Sequence, residues 1–318
     1  MQLSDFFAPI NLTNITIFFL VFIIFDAIGS FIAKIINAPS YLRPVYWSWG
    51  LGIFVFLWFI LHFFLPFWPV FVWASLIICG LVFLPSYIKD RSYQSLINEI
   101  IRFPYPVIFL LILAKPLFFL LSSPPFYTDE LAYHFYSPSQ LFSEMRWSFI
   151  AGQGLYNMVP KFLNTSYWLM FSLSKTYVTA RILHFLLVFS AIYAISVFVK
   201  KKINAHAAIL YSFFALISSS YFLYHSTLGY VDAGAAAFAN LFLIIVVDFL
   251  REKKKNLMLA GGIIFGLTIG MKYTILAFLG SMLLVSLILF IISGKAKKFM
   301  TDNFRYSVFA FILAIVFG

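Results

Sequence analysis

The segment RILHFLLVFSAIYAISVFVKKK, residues 181–202, is apolar from Ile182 to Val199 and stops on three consecutive lysines. A helix of about 20 such residues crosses the hydrocarbon of a bilayer, and lysines that close the run mark the side on which it ends. The same pattern recurs from end to end. Apolar runs at 12–36, 47–65, 68–88, 104–122, 176–199, 204–224, 231–250, 256–272 and 273–293, with another from about 304, predict about ten transmembrane helices. Hydrophobic residues make up 63% of the 318 and charged residues 10%, against about 45–50% and roughly 25% in a soluble domain. The fold class is therefore an all-α polytopic membrane protein whose first partner is the lipid bilayer, with no room for a sizeable water-soluble domain.

Pro66 and Pro69 in LPFWP mark the turn between the second and third runs, because proline removes a backbone donor. The N-terminus has neither a basic n-region nor a small-residue cleavage pattern, so the first run reads as a retained span. The single Cys79 excludes an intramolecular disulfide. The chain ends in YSVFAFILAIVFG (306–318), shorter than a span of about 20 residues; the sequence is expected to be incomplete there.

The net charge of +11 would suit nucleic acid, but its distribution points to the membrane instead. KDR at 89–91, KKK at 200–202, REKKK at 251–255 and GKAKK at 294–298 fall on alternate loops. With Lys34, Arg43, Arg102 and Arg305 they put 16 of the 22 basic residues on one side, which the positive-inside rule makes cytoplasmic. No nucleic-acid partner is expected. The abundance of Phe, 42 residues, with Ile and Lys over Arg, suggests an AT-rich genome and a prokaryotic plasma membrane.

This orientation turns the longest hydrophilic connection, 123–175, outward. Asp129, Glu130 and Glu144 lie in it, and Asp232 stands at the outer start of a later span, so the few acids are expected to gather away from the basic loops. Within the loop, KFLNTSYWLMFSLSK (161–175) is apolar but too short to span, and is expected to lie in the interface or dip back into the membrane. Asp26 and Lys115 fall near the middle of predicted spans, where charges are costly and usually paired, so the two are expected to pair with each other. Asp248, near the cytoplasmic end of its run, is expected to reach the headgroups.

The loop opens with PPFYTDELAYHFYSPSQLF, residues 124–142. Pro124 and Pro125 end the preceding helix and Thr128 is a good N-cap. A helix begun there carries Asp129 and Glu130 in its first turn, where carboxylates suit the positive end of the dipole. Helical spacing sets Glu130 toward His134 and Asp129 over Tyr133 and Tyr136. Capping alone explains such a pair; so does a site at the mouth of the bundle, in a chain with only 11 acids.

YTDELAYHFYSPSQLF (127–142), ARILHFLLVFSAIYA (180–194), GYVDAGAAAFANLFL (229–243) and GLTIGMKYTILAF (266–278) together resemble the bacterial GT-C glycosyltransferases. That family includes protein O-mannosyltransferases and lipid A aminoarabinose transferases. The resemblance covers about 104–318, which sets residues 1–103 apart as three additional N-terminal helices; the periplasmic domain of larger members has no counterpart. It implies a polyprenyl-phosphate-linked sugar donor and transfer, with inversion, to a glycan, lipid or protein acceptor on the outer face. It also implies a carboxylate base, assigned to Asp129, with Glu130 orienting it or sharing a divalent cation (Mg or Mn) with it.

A leaving phosphate needs cations on the same face. Lys115, Arg146, Lys161, Lys175, Arg181 and Lys272 escape the cytoplasmic loops. Lys272, followed by Tyr273 at the junction of two runs, is the leading phosphate contact, and snorkelling is the simpler account of it. Arg181, with His184 on the same face, is a second candidate. Asp232 opens an Ala- and Gly-rich helix suited to close packing, as a cap or as a contact to acceptor or metal. His134 is a further candidate substrate contact, and it and His225 are equally plausible as structural histidines. Competing readings are a transporter or lipid flippase, which would move its lipid without consuming it, and a noncatalytic scaffold.

Overall fold

The structure, a computed structural model, describes residues 11–61, 64, 68–123, 161–174, 176–217, 220–228, 230–272, 274–277, 279–281 and 296–317. Among these residues the chain is helical and contains no strand. In order come α1 (Leu12–Ile36), a 3-10 turn (Ser40–Val45), α2 (Tyr46–Leu61), α3 (Pro69–Lys89), α4 (Ser92–Arg102), α5 (Tyr105–Ile112) and α6 (Ala114–Ser122). Then follow α7 (Lys161–Ser174), α8 (Tyr177–Lys202), α9 (Ala205–Ile217), α10 (Ser220–Thr227), α11 (Asp232–Glu252), α12 (Lys255–Met271) and α13 (Ala296–Phe317).

Local signals explain several boundaries. The side chain of Asn11 caps α1 by accepting from the Asn14 N–H at 2.9 Å. Asn37 ends it in the left-handed region, φ 53°, and the Ala38 and Asn37 N–H groups return to the Ala33 and Lys34 carbonyls. Pro69 opens α3, and the side chain of Thr176 caps α8.

Among the described residues, four helices are long and apolar enough to cross a membrane: α1, α3, α8 and α11. A fifth is counted if α4 and α5, bent by 76°, form one span. Each predicted run that falls on described residues is helical, but several runs are broken or short. The run 104–122 divides at Leu113 into α5 and α6, because Pro116 would set its ring against the carbonyl one turn back. The run 204–224 becomes α9 and α10. The connection 89–103, read as a loop, contains α4, whose residues are all partly or fully exposed.

α8 is the central helix. It buries side chains around its whole circumference, as an all-round apolar helix does in the core of a bundle, and packs on α7, α9, α10, α11 and the 3-10 turn. α12 lies between α11 and α13. α7, part of 161–175, does not lie in an interface. Its residues 162–174 are all buried, and it packs on α1, α2, α3, α8 and α12, with the Trp168 and Trp58 rings 6.3 Å apart. An interfacial helix would leave one face wet; this one dips into the bundle. Through these contacts α1, α2 and α3 pack directly into the segment after residue 104.

α1 and α2 cross at Gly29 and Gly50. A Cβ on Gly29 would lie 1.7 Å from the Tyr46 carbonyl oxygen, and one on Gly50 1.9 Å from that of Phe25, so the backbones touch, as small residues allow in membrane helices. Outward, α1 and α3 expose a belt of large apolar side chains, among them Phe19, Ile23, Ile77 and Leu81.

Beside the crossing, Asp26 is buried, but its partner is not Lys115. Arg43 of the 3-10 turn grips it through two parallel hydrogen bonds, 2.7 and 2.6 Å, and the Tyr87 hydroxyl donates to it at 2.5 Å. Arg43 spends further protons on the Ser95 hydroxyl and the Ser92 carbonyl. The planar guanidinium matches a carboxylate in a way an ammonium does not. Lys115 stands exposed on the first turn of α6. Nor does Asp248 reach the headgroups: it is buried, with Lys202 2.8 Å away.

Among the described residues the acids do not gather away from the basic turns. Asp90, Glu99, Asp248 and Glu252 lie at the lysine-rich end, paired with Lys34, Lys201 and Lys202, and Lys254 also meets Glu252. They offset part of the positive charge at that end, which the loop positions alone did not reveal.

Candidate functional site

α8 and α11 each end at the lysine-rich turns and α12 begins there. Consequently Arg181 near the start of α8, Asp232 at the start of α11 and Lys272 just past α12 share the opposite end of the bundle. Arg181 is completely buried. Its guanidinium donates to the Leu120 carbonyl at 3.1 Å, to the Ser123 carbonyl, and to the Ser123 hydroxyl at 3.3 Å, and it lies over the Tyr177 ring. Tyr177 donates to the Ser122 carbonyl at 2.8 Å. α6 therefore delivers its last carbonyls, which have no partner within the helix, to a cation on α8. This pins Ser123, the last described residue before the segment that carries the acidic pair.

One turn further along α8, His184 bridges two elements. The Gly234 N–H donates to Nε2 at 3.3 Å, which leaves the proton on Nδ1, 2.9 Å from the Leu228 carbonyl that accepts it. Both ring nitrogens are engaged, so His184 is a tie between α8 and α11 rather than a free base. Gly234 permits it, since a Cβ there would sit 3.0 Å from Nε2 and 3.3 Å from the Met271 sulfur. The small residues noted after Asp232 thus do serve close packing.

Lys272 donates to Asp232. The pair is half-exposed, and it changes the reading of both residues: neither a lone phosphate-binding lysine nor a lone capping aspartate is present. An ammonium has three donors, so Lys272 retains capacity for an anion, but any anion bound there shares it with a carboxylate. Asp26, Asp90, Glu99, Asp248 and Glu252 are likewise each matched with a base, and among the described residues no group of three or more His, Cys, Asp or Glu stands close enough to hold a metal ion.

Asp129, Glu130, His134 and Tyr273 lie outside the described residues. The structure thus brings together Arg181, His184, Asp232 and Lys272. What the sequence reading missed is the role of main-chain groups: the carbonyls of Leu120, Ser122, Ser123 and Leu228 and the N–H of Gly234 carry no residue signature. No protein-family profile, no curated protein and no solved structure matches the chain.

Proposed function

We propose that the protein is a membrane glycosyltransferase of the GT-C kind, transferring a sugar with inversion from a polyprenyl-phosphate donor to an acceptor at the outer face of a prokaryotic plasma membrane. The lysine-rich turns then face the cytoplasm, and about ten spans build the core. The observation that carries the reading is the polar cluster at the end away from those turns, where Arg181 holds the residue from which the acidic loop departs. Asp129 follows Ser123 by six residues in the sequence, a path of about 20 Å at full extension.

The chemistry follows from the donor. Nucleotide sugars are cytoplasmic, whereas a polyprenyl tail holds its phosphate-linked sugar at the outer surface. The acceptor hydroxyl loses its proton to Asp129 as its oxygen bonds the anomeric carbon; the carbon–oxygen bond to phosphate breaks and the polyprenyl phosphate leaves. Glu130 orients Asp129, and Lys272 and Arg181, with Tyr273, Asp232 and His134 near the sugar and acceptor, complete the proposed site. A magnesium or manganese ion held by Asp129 and Glu130 would supply positive charge to the phosphate.

Mass spectrometry of polyprenyl-phosphate sugars tests the reading in cells expressing the protein, its Asp129→Asn variant, or neither. One species should fall with the wild-type protein and not with the variant at equal protein level. Identical pools in all three samples would sink it and favour a carrier or a scaffold.

A further inference from the structure

At the lysine-rich end, a groove of about 240 Å³ runs between the last turns of α1 and α3. Apolar Ala27, Phe31 and Ile35 line it together with polar Ser30, Lys34 and Asp90. Its outer wall is apolar and open, with Phe31 and Ile35 43% and 68% exposed. Its inner wall is rigid, because Tyr87, which also lines it, is fixed by its bond to Asp26.

The polar groups facing the groove have capacity to spare. Ser30 Oγ is buried and has no hydrogen-bond partner among the described residues. Ser86, across the groove, returns its hydroxyl to the Phe83 carbonyl in the ordinary helical way, which Ser30 does not. Lys34 gives one proton to Asp90 Oδ2 at 2.7 Å, leaving two, and Oδ1 of Asp90 remains open to a donor. The lysine holds the Asp90 carboxyl below the usual carboxylate range by hydrogen bond and charge, with Lys89 adding to the field, so the carboxylate is ionised at neutral pH.

Charge complementarity then selects the occupant. A simple anion at Lys34 would be repelled by Asp90, and a simple cation at Asp90 by Lys34 and Lys89. A headgroup with both signs, two carbons apart, completes a ring of alternating charges. An ammonium that carries N–H can also donate a hydrogen bond to Oδ1, and a primary one has the most to give; a quaternary one has none. We propose that this groove seats one phospholipid whose headgroup carries a primary ammonium beside its phosphodiester, the phosphate at Lys34 and Ser30, the ammonium at Asp90, and an acyl chain along Phe31 and Ile35.

The test is native mass spectrometry of the detergent-purified full chain with added phosphatidylethanolamine, phosphatidylcholine or phosphatidylglycerol. The expected result is a single ethanolamine-lipid adduct retained about tenfold better than either other lipid, the size of one charge-assisted hydrogen bond. Asp90→Asn should bring ethanolamine lipid down to the choline level. Ser86→Phe, on an exposed position, should plug the groove and lower retention of that lipid without touching the charges. Equal retention of ethanolamine and choline lipids by the wild-type protein, a preference for the glycerol lipid, or a preference that survives both variants would overturn the proposal. A melting temperature for each variant separates loss of the site from loss of the fold.

Discussion

Arg43 and Asp26 are joined in a buried, two-point ion pair that links the 3-10 turn to the middle of α1, with Tyr87 of α3 as a third member. All participants are satisfied, and this is the condition under which a buried charge persists in a membrane helix.

Removing one partner strands the other. Asp26→Asn or Arg43→Gln should destabilise the protein by about 3–5 kcal/mol, read as a lower melting temperature and a smaller yield of monodisperse protein in detergent. Arg43→Lys should fail to rescue, because an ammonium cannot make the two parallel bonds. Lys115→Gln should stay within about 0.5 kcal/mol of wild type. A Lys115 variant as damaging as Arg43→Gln would refute the pairing.

The α1–α2 crossing makes a second, purely steric prediction. Gly29→Ala and Gly50→Ala place a methyl within 2 Å of a carbonyl oxygen and should prevent the helices from closing, with loss of most folded protein. Gly80→Ala is the control: its nearest neighbours would be side-chain atoms at 3.5 Å or beyond, so it should be neutral, or stabilising by up to about 1 kcal/mol through helix propensity. Size-exclusion profiles of the three variants decide the matter.

Arg181 acts on the loop through Ser123. Arg181→Lys keeps the charge but shortens the side chain and removes the planar group that lies over the Tyr177 ring. Limited proteolysis should cut within 124–160 several-fold faster in the variant than in wild type, while the core fragments stay intact. Unchanged cleavage would mean that the guanidinium does not control where the loop begins.

Asp232→Asn and Lys272→Gln separate stability from function. A half-exposed pair contributes about 0–1 kcal/mol, so both variants should melt close to wild type. On the proposed function, Lys272→Gln should abolish most donor consumption in cells and Lys272→Arg should restore part of it. Full activity in Lys272→Gln would remove this lysine from the site.

The all-helical character and the long apolar helices with their closing lysines were legible in the sequence, because length and hydropathy are properties of a run of neighbours; the breaks at Leu113 and after Ile217 and the helix over Ser92–Arg102 were not. α1 is the clearest case: the apolar run 12–36 and the observed Leu12–Ile36 coincide. Arg181, Asp232 and Lys272 could also be singled out, since charges at span ends are rare and costly. Which charges meet could not be read. Asp26 lies 17 residues from Arg43 and 61 from Tyr87, and Lys272 lies 40 from Asp232, so each pairing depends on how helices cross. The same holds for α7, whose composition fits an interface as well as a core. Only packing on five neighbours decided between them, because burial is a property of the surroundings and not of the segment buried.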